Sequence, residues 1–187
     1  MVKKRACIFI SGKGSNLRNL ILHSRDKNFP IKICLVITNN IKAHGINYAK
    51  KYNIPYLFIN TKLEYYEDKI LVYLMKYKIS FICLAGYMKI ISNKIIKNYK
   101  NKILNIHPSL LPKFKGLNTY ERILKNKEKI TGCTVHYVNN KLDDGDIITK
   151  KSFYISSNDN IDSLKFKTQQ LEYRAYPEAI IKVFKNF

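Results

Sequence analysis

The chain has 187 residues, 46% of them hydrophobic, and a formal net charge of +21. It lacks an apolar run of about 18 residues and is too hydrophobic for a disordered tail, which excludes a membrane-spanning or unstructured protein. The length suits one domain, 1–187, with a full core.

The basic start, Met1-Val2-Lys3-Lys4-Arg5, is interrupted too soon by Gly12 and Lys13 to be a signal peptide. Cys7, Cys34, Cys83 and Cys133 are scattered and form no Cys-x-x-Cys pair. They read as small buried residues in a reducing compartment, so a cytoplasmic protein is expected. The 34 Lys and Arg are spread along the chain, and only Arg5, Arg18, Arg25, Arg122 and Arg174 are arginines. Heavy use of Lys, Asn, Ile and Tyr is what an A/T-rich coding bias produces. A dispersed Lys surface matches bidentate phosphate or base recognition poorly, so no specific nucleic-acid partner is expected, and no membrane. Oligomeric state, monomer or weak dimer, is not legible.

In chain order, Ala6 to Ile10 predicts a strand, Gly12-Lys13-Gly14-Ser15-Asn16 a turn, and Leu17, Leu20 and Ile21 a helix. Ile31 to Thr38 is a second strand, and Lys42 to Tyr52 a helix with Ala43, Ile46 and Ala49 on one face. Pro55 to Ile59 is a third strand. Thr61 and Glu64 form a capping-box pattern ahead of a helix carrying Ile70, Leu71, Leu74 and Tyr77. The Phe81 to Ala85 strand comes next, then a helix over Asn93 to Asn98 and a strand over Ile103 to Ile106. Asn118 and Glu121 are expected to cap a short helix with Ile123 and Leu124. Thr131 to Val138 and Asp146 to Ile155 read as strands, and the tail from Ile161 as a helix interrupted at Pro177. This alternation predicts a single-domain α/β fold: a mostly parallel, Rossmann-like twisted sheet with helices on both faces. Ligands then bind at the carboxyl ends of the strands.

Two segments carry chemistry. Asn105 and His107 are two apart, so on a strand they face the same way, and Pro108 and Pro112 stiffen the loop after them. Asp143-Asp144-Gly145 supplies carboxylates. Singly, these residues read as a structural histidine, a turn former and a solvated turn. Jointly, an amide, an imidazole and a carboxylate can polarise a carbonyl and move a proton. The turn Gly12-x-Gly14-Ser15-Asn16 lies between a strand and a helix, where backbone N–H groups hold a phosphate, although a tight turn without ligand fits too. A dinucleotide fingerprint fails because Leu17 replaces its third glycine and Asn39-Asn40 replaces the ribose-binding acid. A Walker loop fails on spacing. No carboxylate or histidine has metal-ligand spacing, so no metal is expected.

Asn105-Ile106-His107-Pro108-Ser109-Leu110-Leu111-Pro112 resembles the signature of the formyltetrahydrofolate-using formyltransferases. Ile10 to Leu17, Leu84-Ala85-Gly86-Tyr87-Met88-Lys89-Ile90-Ile91 and Gly132 to Val138 match in the same order, so the likeness runs from Cys7 to Tyr176. The Gly-Ser-Asn turn points to the branch acting on glycinamide ribonucleotide in purine synthesis. The resemblance implies N10-formyltetrahydrofolate as co-substrate and Asn105, His107 and Asp143 as catalytic residues, Asp143 rather than Asp144 because it stands two before Gly145. It places Gly14, Ser15 and Asn16 on the phosphate and Gln169 and Glu172 on the ribose; by themselves these last two read as a solvated face. It places Met88, Lys89, Ile91, Asn139, Asn140, Lys141 and Leu142 against the folate. His136 reads as a structural neighbour. Lys89 stands where Arg is common, Lys115 and Asn118 where Pro and His are, and Asp144 and Asp146 add charge to the acidic loop.

Competing readings are a methionyl-tRNA formyltransferase, a formyltetrahydrofolate hydrolase, or a basic nucleic-acid-binding protein. Neither an appended tRNA-binding domain nor a regulatory domain before Cys7 is expected, and the sequence shows no Lys/Arg stripe with stacking aromatics.

Overall fold

A computed structural model describes residues 2–185; Met1 of the basic start, Asn186 and Phe187 lie outside the described residues. Seven strands form one sheet in the order β3-β2-β1-β4-β5-β6-β7. The chain divides into two compact units, one ending at Leu104 and one beginning at Asn105.

In the first unit, β1 (Lys4–Ile10) pairs in parallel with β2 (Ile31–Thr38) and β4 (Phe81–Leu84), and β2 with β3 (Tyr56–Phe58). Ala6 to Ile10 are fully buried, and β4 is buried throughout. Such unbroken apolar runs are what a parallel strand covered on both faces requires. Helix α1 (Ser15–Ser24) buries Leu17, Leu20 and Ile21. Helix α2 is Gly45–Lys51, shorter than the periodicity predicted, because residues 41–44 turn ahead of it. Helix α3 is Tyr66–Lys76 and buries Ile70 and Leu74. The expected capping box is not there. Tyr65, at φ 59, precedes the helix without a side-chain cap, and Thr61 and Glu64 lie in the turns before it. Helix α4 (Asn93–Asn98) has the predicted bounds; the Ser92 hydroxyl accepts from the Ile95 N–H and caps it.

The loop between β1 and α1 depends on a glycine pair. Gly14 has φ 74, and a Cβ on it would lie 2.5 Å from Gly45 Cα. The Gly45 N–H donates to the Gly12 carbonyl over 3.1 Å. The turn can therefore rest against the start of α2 only while both residues lack side chains.

Strand β5 (Ile103–His107) extends one residue beyond its predicted end, so His107 closes the strand. In the second unit, β6 (Ile130–Tyr137) and β7 (Ile147–Tyr154) pair antiparallel, with a register shift between Val135 and His136. Helix α5 (Thr119–Lys125) starts after Asn118 as expected, but Asn118 sits at φ 54 and makes no side-chain cap. Helix α6 (Ile161–Lys185) continues through Pro177 without the predicted interruption. Leu164, Thr168, Ala175 and Ala179 are buried along it, as are Tyr176, Ile180 and Val183. That stripe packs on β6 and β7, and this tertiary burial outweighs the loss of the proline's N–H. All four cysteines lie in strands, buried and outside any disulfide.

Gly14→Ala is expected to destabilise by more than the ~1–2 kcal/mol of left-handed strain alone, because the new Cβ also meets backbone. Gly12→Ala, with nothing within 4 Å of the added carbon, is expected to stay within about 0.5 kcal/mol of wild type. Urea denaturation of both variants checks the pair, and equal losses would refute the glycine contact.

Candidate active site

Strand β5 aims Asn105 and His107 at one carboxylate. Asp143 Oδ1 accepts from Asn105 Nδ2 over 3.2 Å, and Asp143 Oδ2 lies 3.2 Å from His107 Nδ1. The Gly116 backbone N–H donates to the same Oδ2 over 2.9 Å. His136 Nε2 is 3.6 Å from Oδ1. Asp143 is only 8% exposed and has φ 49, a left-handed conformation that aspartate tolerates better than most residues. Asp144 turns the other way, is exposed, and pairs with Lys115. The structure thus joins Asn105, His107 and Asp143 and leaves Asp144 outside.

The loop after β5 completes the cluster through its backbone. His107 Nε2 lies 2.8 Å from the Phe114 carbonyl, to which it donates. Phe114 and Gly116 have φ 58 and 77, which brings a carbonyl and an N–H to the same side chains from residues two apart. The buried Thr134 hydroxyl accepts from the Leu111 N–H and donates to the Ser109 carbonyl, fixing the loop's first half to β6. Arg122 donates to the Lys115 carbonyl and lies over the Phe114 ring, fixing the second half.

Burial pulls the His107 pKa down; the Asp143 charge and the Phe114 hydrogen bond oppose it, and the net position is below the ordinary value. Both ring nitrogens nevertheless face acceptors, an arrangement that only the imidazolium satisfies in full. Burial therefore disfavours charge on His107, in surroundings whose acceptors suit the charged ring. Burial pushes the Asp143 carboxyl up, but the polar surroundings supplied by the His136 ring, the Gly116 N–H and the His107 ring outweigh it, so Asp143 stays below the usual carboxylate range. The Asp144 carboxyl is lowered by its hydrogen bond to Lys115 and by that residue's charge.

The other expected site residues fall in both units. In the first, Gly14 precedes α1, with Ser15 and Asn16 in its first turn. Ser11 ties three strand ends together. Its hydroxyl accepts from the Met88 N–H and donates to Asn39 Oδ1, and its carbonyl accepts from Asn40 Nδ2. Met88 and Lys89 are exposed, whereas the Ile91 side chain is in the core. In the second, the Asn139 side chain accepts from the Lys141 N–H and donates to the Asp144 carbonyl, shaping the loop that carries Asn140 and the exposed Leu142. Gln169 and Glu172 are half-buried on α6. Glu172 is not on a solvated face: its charge, second to burial, helps push the Cys133 thiol up to about 12.

Sequence reasoning undervalued four contributors. His136 contacts both Asn105 and Asp143. Ser11 organises the strand ends. Phe114 and Gly116 act through peptide groups, and side-chain chemistry gives no sign of that.

A family described as formyl transferase matches residues 4–180. The chain is 40% identical to the phosphoribosylglycinamide formyltransferase of Haemophilus influenzae, over 97% of this chain and 87% of that protein. It is 37% identical to the human trifunctional purine biosynthetic protein adenosine-3, over 95% of this chain and 18% of that protein. The crystal structure of phosphoribosylglycinamide formyltransferase from Brucella melitensis superposes with a TM-score of 0.92 at 38% identity, covering 97% of this chain and 95% of that one. The corresponding structure from Bacillus halodurans gives 0.93 at 34% identity, with the same coverage of both chains.

The two pKa directions make acid destabilising. Below the ordinary histidine value of 6.5, the unfolded chain takes up a proton that the folded His107 resists, so stability falls as pH drops through that region. The contribution of Asp143 is present above the ordinary carboxyl value of 3.8 and is lost as pH falls through its lowered folded value. Between about pH 7 and about pH 5, the urea midpoint of wild type is expected to fall more steeply than that of His107→Asn. Parallel slopes would show that His107 does not resist protonation.

Proposed function

The chain belongs to the formyl transferase family, and on that footing we propose that it moves the formyl group of N10-formyltetrahydrofolate to the amine of glycinamide ribonucleotide. One observation carries the reading: a single buried carboxylate, Asp143, receives both the Asn105 amide and the His107 imidazole. Relatives named for this transfer match nearly the whole chain, which favours the ribonucleotide amine over initiator tRNA or water as acceptor.

Asn105 gives an N–H to the formyl oxygen as negative charge builds there, and His107 assists. With Nε2–H held by Phe114, the open lone pair of His107 is on Nδ1 against Asp143, so the proton that the attacking amine must lose passes by way of the Asp143 carboxylate to that nitrogen. Asp143 and the Phe114 carbonyl then hold the imidazolium, which satisfies both of its N–H groups. Returning that proton to folate N10 restores the resting ring. Amide, imidazole and carboxylate suffice for this sequence; neither a metal nor a covalent enzyme intermediate is needed.

The start of α1 suits the ribonucleotide phosphate: Gly14, Ser15 and Asn16 lie where helix dipole and backbone donors favour an anion. We assign Gln169 and Glu172 to the ribose, and Met88, Lys89, Ile91 and the 139–142 loop to the folate. Ile91 then serves from the core, by placing backbone. We treat residues 1–187 as one functional domain working in the cytoplasm, where four buried cysteines outside any disulfide are at home.

Formyl transfer to glycinamide ribonucleotide, compared with hydrolysis and with transfer to charged initiator tRNA, tests the assignment. Asn105→Ala is expected to lose about 10²–10³-fold in kcat, as when an oxyanion donor is removed. Asp143→Asn keeps the shape and the left-handed backbone but not the charge, and should lose about 10²–10⁴-fold. Asp144→Asn should stay near wild type, since that side chain faces Lys115. A larger loss at Asp144 than at Asp143 would overturn the assignment of the acid.

A further inference from the structure

The Asn105 amide has two hydrogens, and the site offers two acceptors. Nδ2 lies 3.2 Å from Asp143 Oδ1 and 3.2 Å from His136 Nε2. A carboxylate oxygen only accepts, so the amide atom facing it is nitrogen. Asp143 Oδ1 stands 3.6 Å from His136 Nε2, beyond hydrogen-bond length, so the partner of this nitrogen is the Asn105 amide, and Nε2 must present a lone pair. The other ring nitrogen, Nδ1, is 2.7 Å from the Tyr137 carbonyl, another acceptor, and so carries the proton. One protonation state meets all these demands: neutral imidazole with the hydrogen on Nδ1.

The backbone around His136 is shaped to hold it. The β6–β7 register shifts between Val135 and His136, the kind of irregularity that re-aims a side chain. A Cβ on Gly145 would lie 1.8 Å from the Tyr137 oxygen and 3.6 Å from His136 Nδ1. Only a glycine lets the acidic loop close over this carbonyl, which has to face the ring. His136 is 2% exposed, so water does not compete for its Nε2.

We propose that His136 is a positioning residue for Asn105: its Nε2 lone pair holds one amide N–H so that nitrogen, not oxygen, faces the reacting groups throughout turnover. Asp143 alone cannot guarantee this. Whenever a proton passes to the carboxylate, that oxygen becomes able to donate, and the amide loses its reason to keep nitrogen towards it. His136 remains an acceptor, with its proton committed to the Tyr137 carbonyl. This inference rests on Asn105 being the oxyanion donor.

Two substitutions separate its halves. In His136→Gln, Oε1 falls near the Nε2 position, so the acceptor for Asn105 stays while the donor to Tyr137 is lost. In His136→Asn, Nδ2 falls near the Nδ1 position, so the donor stays and the acceptor is lost. The expected result is that His136→Asn loses about tenfold or more in kcat with KM little changed, and that His136→Gln recovers most of it. In an Asn105→Ala background, His136→Asn should cause no further loss. The ¹⁵N shifts of His136 in wild type should show Nδ1 protonated and Nε2 bare, a measurement that needs no variant to fold. An Nε2–H tautomer, an Asn variant as active as the Gln variant, or losses confined to KM would each overturn the proposal. Near-normal turnover of Asn105→Ala would instead overturn the assignment of Asn105 on which it stands.

Discussion

A carboxylate kept ionised in a nearly closed site is the constraint on which the second unit is organised. Burying a charge without partners costs several kcal/mol, so Asp143 must be met by donors from several directions. They come from β5 through Asn105 and His107, and from the adjoining loop through Gly116. The left-handed backbone at Asp143 and the close approach of Gly145 to β6 are the local distortions that bring the carboxylate to these partners. Strain of this sort persists where surrounding contacts over-determine it.

The same pairing sets the chemical temper of His107. Its surroundings favour the imidazolium by geometry and the neutral ring by burial. Burial prevails and holds the ring below its ordinary value, as the proposed role of taking up a proton and returning it would need. A more exposed histidine would gain charge earlier and have less capacity to take a proton from an amine.

Periodicity and burial made most of the fold legible. Strand β2 and helix α4 have the bounds that the sequence predicted, because an unbroken Ile/Val/Leu run and a short polar-capped apolar pair admit few other solutions. Local capping rules failed where the chain turns through residues with positive φ. Tyr65 and Asn118 enter their helices from the left-handed region, so neither the Thr61–Glu64 pattern nor the Asn118 side chain forms its cap. Pro177 misled in the other direction, since burial of the α6 stripe sustains a helix that proline alone would break. At the site, Asn105, His107 and Asp143 were legible through spacing and resemblance. His136 was not, because alternation along β6 marks it as one more inward residue, and only the register shift beside it sets its aim. The Ser11 knot escaped notice because its bonds join the ends of strands far apart in sequence.

The loop between Pro112 and Asn118 serves His107 and Asp143 with a carbonyl and an N–H, both from the main chain. Every amino acid but proline carries both groups, so the identity of the residue between them is nearly irrelevant to that service. A chain drifting towards lysine and asparagine can therefore rewrite Lys115 without touching the contacts made to His107 and Asp143. What it cannot rewrite is Gly116, whose positive φ directs the N–H. Compositional pressure in such a protein is expected to collect where backbone makes the contacts and to stop at the few positions where a side chain, or its absence, makes them.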